Sequence, residues 1–96
     1  MSFVIQSKDE LYGVVSQSRR AALSIILNYI EGYARRKKLV VVNFLEISYG
    51  SLKECKYLLH FSWKENYIDE KEYSQALTLA DEIGAMLWRT LEKLRK

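Results

Sequence analysis

The absence of proline is the feature of this chain that most limits its fold. None of the 96 residues is proline, and only four are glycine. These two residue types supply most of the turns of β-sandwiches and β-barrels, and proline ends helices because it has no backbone N–H to donate. Long helices can therefore run through most of the chain, and we expect an all-α fold.

Apolar periodicity divides the chain into three predicted helices. Apolar residues recur at intervals of three, four and seven, as they do on a helix with one buried face. This spacing predicts helices over about 11–37, 39–64 and 70–94, with Asp69 and Glu72 forming an acidic capping box for the third. The predicted core-facing residues are, helix by helix, Val15, Ala22, Ile26, Tyr29 and Tyr33; Val41, Phe44, Leu45, Ser48, Leu52, Cys55, Leu59 and Ser62; and Tyr73, Ala76, Leu77, Ala80, Ile83, Gly84, Leu87, Leu91 and Leu94.

Residues 1–96 are expected to form one helical bundle domain, since no linker, repeat or low-complexity segment interrupts them. Short connections favour antiparallel neighbours, so we predict an up-down antiparallel bundle of three long helices. Gly50 and Gly84 fall in mid-helix, where glycine costs roughly 1 kcal/mol relative to alanine. They predict a close approach of the second and third helices.

Cysteine content and hydropathy point to a soluble cytoplasmic protein. Cys55 is the single cysteine, which excludes an internal disulfide and fits a reducing compartment. No segment approaches the roughly 18 apolar residues that span a bilayer, and the start of the sequence lacks the apolar stretch of a signal peptide. We expect no membrane partner.

No catalytic or metal site can be assembled from the sequence. An active site needs a nucleophile with a base, a metal cluster or paired carboxylates, and this chain has one histidine, one cysteine and no glycine-rich phosphate loop. Cys55 and His60 would project about 140° apart on a helix and cannot share a metal. We expect no enzymatic activity, metal, cofactor or small-molecule substrate.

Charge is concentrated at the predicted helix ends of this chain, whose net charge is +3. In an antiparallel bundle, the end of the first helix, the start of the second and the end of the third share one pole, with Glu92 as the acid of those segments. The cations expected there as nucleic-acid contacts are Arg35, Arg36, Lys37, Lys38, Lys93, Arg95 and Lys96, with Arg89 nearby. Cations late in a helix also offset its dipole, by ~0.3 to 1 kcal/mol each, so both interpretations remain open.

Two ion pairs are predicted within the bundle. Arg19 falls at the edge of the apolar stripe, and if it is buried it must pair with a carboxylate, because an unpaired buried charge is very costly. Glu54 and Glu46 are the candidates, and we expect a structural ion pair. Glu31 precedes Arg35 by four residues, the order that favours an intrahelical pair of roughly 0.2 to 0.5 kcal/mol.

Arg20 and three aromatic residues have open assignments. Arg20 lies on a polar seam of the first helix, where a neighbouring helix and a phosphate are both candidate partners. Tyr57, Trp63 and Trp88 could stack on bases, but packing against a neighbouring helix or subunit is the favoured interpretation because aromatic residues anchor cores and interfaces.

Three stretches resemble the signature of a known family. The stretches "QSRRAALSI", "NYIEGYARR" and "NFLEISYGSLKECKYLL" resemble, in order and spacing, patterns of the bacterial four-helix-bundle proteins often encoded in intervening sequences of 23S rRNA genes. The resemblance covers roughly residues 12–94. The matching residues are Gln17, Arg19, Arg20, Ala21, Ser24, Asn28, Glu31, Gly32, Phe44, Leu45, Gly50, Ser51 and Glu54.

This resemblance implies a non-enzymatic homo-oligomer, commonly a ring-shaped pentamer. Similar proteins include accessory subunits of diversity-generating retroelements, which work alongside a reverse transcriptase and its RNA. Two functional hypotheses follow. The chain is either a homo-oligomeric bundle whose basic pole binds RNA or DNA as a scaffold or accessory factor, or a protein-interaction or structural oligomer with no nucleic-acid role.

The chain departs from the family pattern at two places. Ile26 stands where the family usually has proline, so the first helix is expected to run straighter. The family also has a complete helix before the "QSRRA" motif, where this chain has about a dozen residues. Either the chain is a truncated member of the family with three long helices, or these residues form a remnant turn packed across the gap. Three helices shaped for a four-helix bundle would leave an apolar groove on the first and third, which favours self-association through helix faces.

Overall fold

A computed structural model describes the backbone of residues 3–96 and the side chains of residues 11–96. The described chain consists of three helices, α1 (Phe3–Ala34), α2 (Lys38–Lys64) and α3 (Glu70–Arg95), and residues 3–96 contain no strand. The predicted all-α class is therefore confirmed. The predicted bounds of α2 and α3 are correct to within one residue at each end.

The first helix differs from its prediction at both ends. It begins at Phe3 rather than near residue 11, so the residues before the "QSRRA" motif continue α1 and the predicted turn across a gap is wrong. No proline interrupts this segment, and nothing else in it stops helix propagation. At its other end α1 stops at Ala34, and the Arg35 N–H donates to Gly32 O at 3.2 Å in a final tight turn.

Two further helix ends have well-defined caps. Asp69 and Glu72 form the predicted capping box: the Glu72 N–H donates to Asp69 Oδ1 at 2.7 Å, and the Asp69 N–H donates to Glu72 Oε1 at 2.9 Å. At the end of α2, Asn66 takes the left-handed conformation with φ 62°, and the Tyr67 N–H donates to Ser62 O at 2.8 Å. These bonds use backbone groups that the helix ends would leave unpaired.

Small and polar side chains join α1 to α2. Ser24 Oγ and Ser51 Oγ are 2.7 Å apart, and Asn28 Nδ2 donates to Ser24 Oγ at 3.0 Å. One turn along α2, the buried Ser48 donates its hydroxyl to the main-chain oxygen of Ile25 at 2.8 Å. Each hydroxyl at this contact has a partner, so the two helices can bury polar groups without a large desolvation cost.

Gly32 lies at a close approach of α1 to α2. A Cβ atom on this buried glycine would lie 3.3 Å from Phe44 Cβ and 3.5 Å from Val41 O. Contacts near the end of α1 are therefore made with the start of α2, whereas Ser24 meets Ser51, much further along. The contacting residues thus run in opposite order along the two helices.

The contact between α2 and α3 encloses the apolar core. Its buried residues are Leu45, Leu52, Ala80, Leu87 and Leu91. A Cβ on Gly84 would lie 3.1 Å from Leu52 Cδ2, which confirms the predicted close approach at this glycine. The same prediction for Gly50 is wrong, because Gly50 is exposed and no atom lies within 4 Å of its Cβ position.

The predicted core-facing stripe of α1 is not buried. The core-facing residues of α2 and α3 are mostly buried or half-buried as predicted, although Ile83 is exposed. In α1, however, all five predicted core residues, Val15, Ala22, Ile26, Tyr29 and Tyr33, are exposed. The helix instead turns its small and polar face toward α2, because only small side chains allow so close an approach.

An apolar groove opens between α1 and α3 on the side away from α2. It has a volume of about 200 Å³ and is lined by Ile25, Ile26, Tyr29, Ile30, Ile83, Met86 and Leu87. No charged side chain lines it. The groove lies on the first and third helices, where the sequence predicted one.

The two helical glycines at residues 32 and 50 give opposite predictions for stability. Gly50→Ala adds a methyl group in open space and is expected to stabilise the fold by roughly 0.5 to 1 kcal/mol, because alanine is the better helix former. Gly32→Val has to displace Phe44 and is expected to destabilise the fold by roughly 1 to 3 kcal/mol. Thermal unfolding followed by circular dichroism measures both. A lower Tm for Gly50→Ala, or an unchanged Tm for Gly32→Val, would contradict the described contacts.

Candidate nucleic-acid interface

The structure brings the cations of the α1–α2 connection and of the α3 end to the same end of the molecule. Residues 35–37 join α1 to α2. Lys38, the first residue of α2, donates from Nζ to the main-chain oxygen of Lys96 at 2.9 Å. The cations that the sequence placed together at one pole therefore do lie at one end of the described chain, and we call this surface the basic end. Its cations are Arg35, Arg36, Lys37, Lys38, Lys93, Arg95 and Lys96.

Two arginines of the basic end are held in ion pairs. Arg35 Nη2 lies 2.7 Å from Glu31 Oε2, which is the pair that the spacing of four predicted, and its guanidinium lies 5.4 Å from the centre of the Phe44 ring. Arg95 bonds to Glu46 of α2 and lies 3.9 Å from Glu92. The sequence had named Glu92 as the acid of this pole, but Glu31 and Glu46 also reach it.

Five cations of the basic end lie outside these ion pairs: Arg36, Lys37, Lys38, Lys93 and Lys96, of which Lys38 is bonded to the Lys96 main chain. All five side chains are exposed, and none has an Asp or Glu carboxylate within 4.0 Å among residues 11–96. They remain available to a polyanion, whereas Arg35 and Arg95 are partly neutralised.

The helix dipoles favour the cations at the end of α3 and disfavour those at the start of α2. Lys93 and Arg95 lie in the last turn of α3, where positive charge is favourable. Lys37 is the N-cap of α2, its side chain makes no capping hydrogen bond, and the first turn of α2 contains no acidic residue. Cations at a helix N-terminus oppose the dipole, so dipole compensation explains the cations of α3 and does not explain those of α2.

Arg20 does not lie at the basic end. It lies fourteen residues before Ala34, the last residue of α1, which corresponds to about 21 Å along the helix. Its Nη2 donates to Ser16 Oγ at 3.0 Å, and it lines a shallow pocket with Ser51 and Glu54. The structure therefore separates Arg20 from the other predicted nucleic-acid contacts.

The predicted structural ion pair of Arg19 is wrong. Its side chain is exposed and makes no ion pair with Glu46 or Glu54 among the described residues. Glu46 is bonded to Arg95 instead. The reason is the packing of α1: Arg19 lies, with Val15 and Ala22, in an open pocket that also contains Leu59 of α2, and this pocket does not enclose it.

The aromatic residues of the chain divide into packed and open positions. Trp63 stacks on Tyr73 with ring centroids 4.7 Å apart and an interplanar angle of 4°, and His60 approaches both rings edge-on. The packing interpretation therefore fits Trp63. Trp88 is 48% exposed and Tyr57 is 67% exposed, so neither is enclosed within the described chain.

Sequence reasoning missed the polar contact between α1 and α2. Ser24, Asn28, Gly32 and Ser51 are all family-signature positions, and each lies in this contact. Their place in the signature was the available signal: those residues position α1 against α2 and do not form an exposed site.

Neither a metal cluster nor a membrane-crossing helix is found in the described part of the chain. No three His, Cys, Asp or Glu side chains described here lie close enough together to hold a metal ion. Every helix in the same residues is either too polar or too short in its apolar run to cross a bilayer.

The described structure is thus that of a small three-helix protein with a basic end and an uncovered apolar groove. A family model described as 23S rRNA-intervening sequence protein matches residues 4–89, and the chain belongs to this family. The resemblance found in the sequence is confirmed. No curated protein and no solved structure matches the chain.

The alkylation rate of Cys55 tests its burial and its proximity to Glu54. Burial raises the pKa of the Cys55 thiol, and the nearby Glu54 carboxylate raises it further. Less thiolate is then present at pH 8, so iodoacetamide is expected to alkylate Cys55 more slowly in the folded chain than in urea. Glu54→Gln should increase the folded-state rate, and Glu46→Gln is the matched control. A folded chain that reacts faster than the unfolded one would contradict this environment.

Proposed function

We propose that this chain is a non-enzymatic, homo-oligomeric helical bundle protein of the cytoplasm whose basic end binds RNA or DNA, as a scaffold or accessory factor. In this proposal the three helices form an up-down antiparallel unit of the four-helix-bundle family, and copies assemble through helix faces. The single observation that carries nucleic-acid binding is the group of exposed, unpaired cations Arg36, Lys37 and Lys93 at one end.

The start of α2 supports binding of a phosphate in particular. Lys37 and Lys38 stand at a helix N-terminus, where their charge opposes the dipole and repels Arg36. A phosphate there would relieve the repulsion and accept hydrogen bonds from free backbone N–H groups. Phosphate contacts position a protein without reading sequence, so the proposed binding has little base preference and weakens steeply with salt.

Charge reversal at the basic end tests nucleic-acid binding. The triple variant Arg36→Glu, Lys37→Glu and Lys93→Glu is expected to weaken retention of a structured RNA by roughly tenfold or more, because it reverses three of the unpaired cations. Electrophoretic mobility shift at several salt concentrations measures the affinity. For the parent chain, three phosphate contacts per subunit predict a log–log salt slope of about −3 on duplex.

A matched triple variant separates local from overall charge. Arg19→Glu, Arg20→Glu and Lys71→Glu change the net charge equally, at exposed positions without ion pairs among the described residues. This variant is expected to retain most of the binding. Equal losses in both triples would contradict a site at the basic end, and a loss confined to the matched triple would move the site to Arg20.

The exposed apolar face of α1 supports self-association. Leu23, Ile26, Leu27 and Ile30 are each 54–58% exposed. They lie beside the groove between α1 and α3, and apolar patches above a few hundred Å² on a soluble chain usually mark an interface. A second copy of this chain is the proposed occupant, because its own α1 offers large apolar side chains to a groove that no charged side chain lines.

Charge placed in this face tests the assembly. Ile26→Lys with Ile30→Lys is expected to give particles of the single-chain mass, 11.3 kDa, because lysine cannot be buried unpaired in an apolar interface. Multi-angle light scattering measures the mass, and circular dichroism checks the fold. The control is Leu39→Lys, at a position that is 84% exposed and outside the groove. A double variant with the parent's oligomeric mass would contradict the proposed interface.

The ion pairs at the basic end favour a second candidate function. Glu31 and Glu46 hold Arg35 and Arg95, as expected if these arginines stabilise helix ends in a purely structural or protein-interaction oligomer. In that case the charge-reversal triple leaves both assembly and nucleic-acid retention unchanged.

A further inference from the structure

A second surface, a cleft between α2 and α3, combines aromatic rings with lysines. The cleft has a volume of about 460 Å³ and lies on the α2–α3 side of the molecule, apart from the groove between α1 and α3. The residues that matter to its chemistry are Tyr49, Lys53, Lys56, Asp81, Gly84 and Trp88.

Two aromatic rings form one wall of this cleft. The Tyr49 and Trp88 ring centroids are 5.9 Å apart, with an interplanar angle of 46°. Tyr49 is half-buried and packs against the core, so it supports Trp88, which keeps 48% of its surface exposed. Gly84, one turn before Trp88, adds no side chain to the cleft and packs against Leu52. Space beside the Trp88 ring is therefore left open.

The cleft has a net positive charge, because its one acidic residue is neutralised by an ion pair. Lys56 Nζ lies 2.7 Å from Asp81 Oδ1, and this hydrogen bond raises the pKa of Lys56. Asp81 is thus compensated. Lys53 Nζ lies 5.4 Å from the centre of the Tyr49 ring and has no carboxylate within 4.0 Å among residues 11–96. An anion entering the cleft meets one uncompensated cation beside the aromatic wall.

We propose that this cleft binds an unpaired nucleotide of a single-stranded nucleic acid, with the base stacked on Trp88 and its phosphate held by Lys53. A flat ring beside a free ammonium group matches the two parts of a nucleotide, and base–aromatic stacking contributes roughly 5- to 150-fold in affinity. The inference rests on the proposed nucleic-acid function and adds a contact that phosphate binding alone does not supply. Trp88 lies seven residues before Arg95, about 10 Å along α3. A strand held at the basic end therefore reaches the cleft.

Tryptophan fluorescence tests this proposal directly. The chain contains two tryptophans, so Trp63→Phe leaves Trp88 as the only one. Titrating this variant with a twelve-residue oligouridylate is expected to quench Trp88, whereas a duplex of equal length binds with little quenching.

Trp88→Leu should weaken single-strand affinity by roughly fivefold or more, and Trp88→Tyr should retain most of it because the ring is kept. Lys53→Gln should reduce the single-strand salt slope by about 0.7, while Lys71→Gln should not.

Four outcomes would overturn the inference, and they distinguish it from the proposed function. In the first, single-strand binding is lost in the basic-end triple variant, does not quench Trp88 and is unaffected by Trp88→Leu. This result would contradict the proposed nucleotide site in the cleft and would still support binding at the basic end. Binding of neither single strand nor duplex would overturn both. A Trp88 spectrum that shifts with protein concentration alone would identify the cleft as a protein contact. Equal effects of Trp88→Leu and Trp88→Tyr would exclude stacking. Quenching that survives the triple variant would support the cleft and contradict the basic end.

Discussion

The close approach of α1 to α2 is the contact on which the rest of the structure depends. It is made by side chains that are small or that hydrogen-bond across the gap, including Ser24 with Ser51, Ser48 with the Ile25 carbonyl, and the bare backbone of Gly32. Because this face of α1 is used for α2, its large apolar residues must point elsewhere. The uncovered groove between α1 and α3 and the exposed apolar residues of α1 are therefore direct consequences of the polar contact.

The same packing sets the distribution of charge. The connection after α1 and the end of α3 meet, as the bond from Lys38 to the Lys96 main chain shows. Helix ends concentrate cations there, and carboxylates from α1 and α2 neutralise part of them. What remains is a local surplus of positive charge beside a helix N-terminus that has no acidic residue of its own.

The sequence predicted those features that local patterns determine. Periodicity and capping chemistry located α2 and α3 to within one residue, and the cost of a mid-helix glycine correctly indicated Gly84. Periodicity failed for α1, because the face that packs on α2 is small and polar and the large apolar residues lie on other parts of the helix surface. The partners of Arg19 and Arg95 also depend on how neighbouring helices are aligned, which spacing within one helix cannot give. Gly50 and Gly84 both fall in mid-helix in the sequence, but Gly50 lies on an exposed face of α2 and Gly84 lies on the face of α3 that packs on α2.

Disulfide formation tests the orientation of α1 most directly. In a Cys55→Ser background, Ser24→Cys and Ser51→Cys replace two hydroxyl oxygens that lie 2.7 Å apart, so the new thiols are close enough to bond within one chain. Mass spectrometry after mild oxidation and proteolysis, without reduction, identifies the linked peptides. The described packing predicts a disulfide between residues 24 and 51 of the same chain. Free thiols, or a disulfide found only between two chains, would contradict the orientation of α1 from which the exposed apolar face follows.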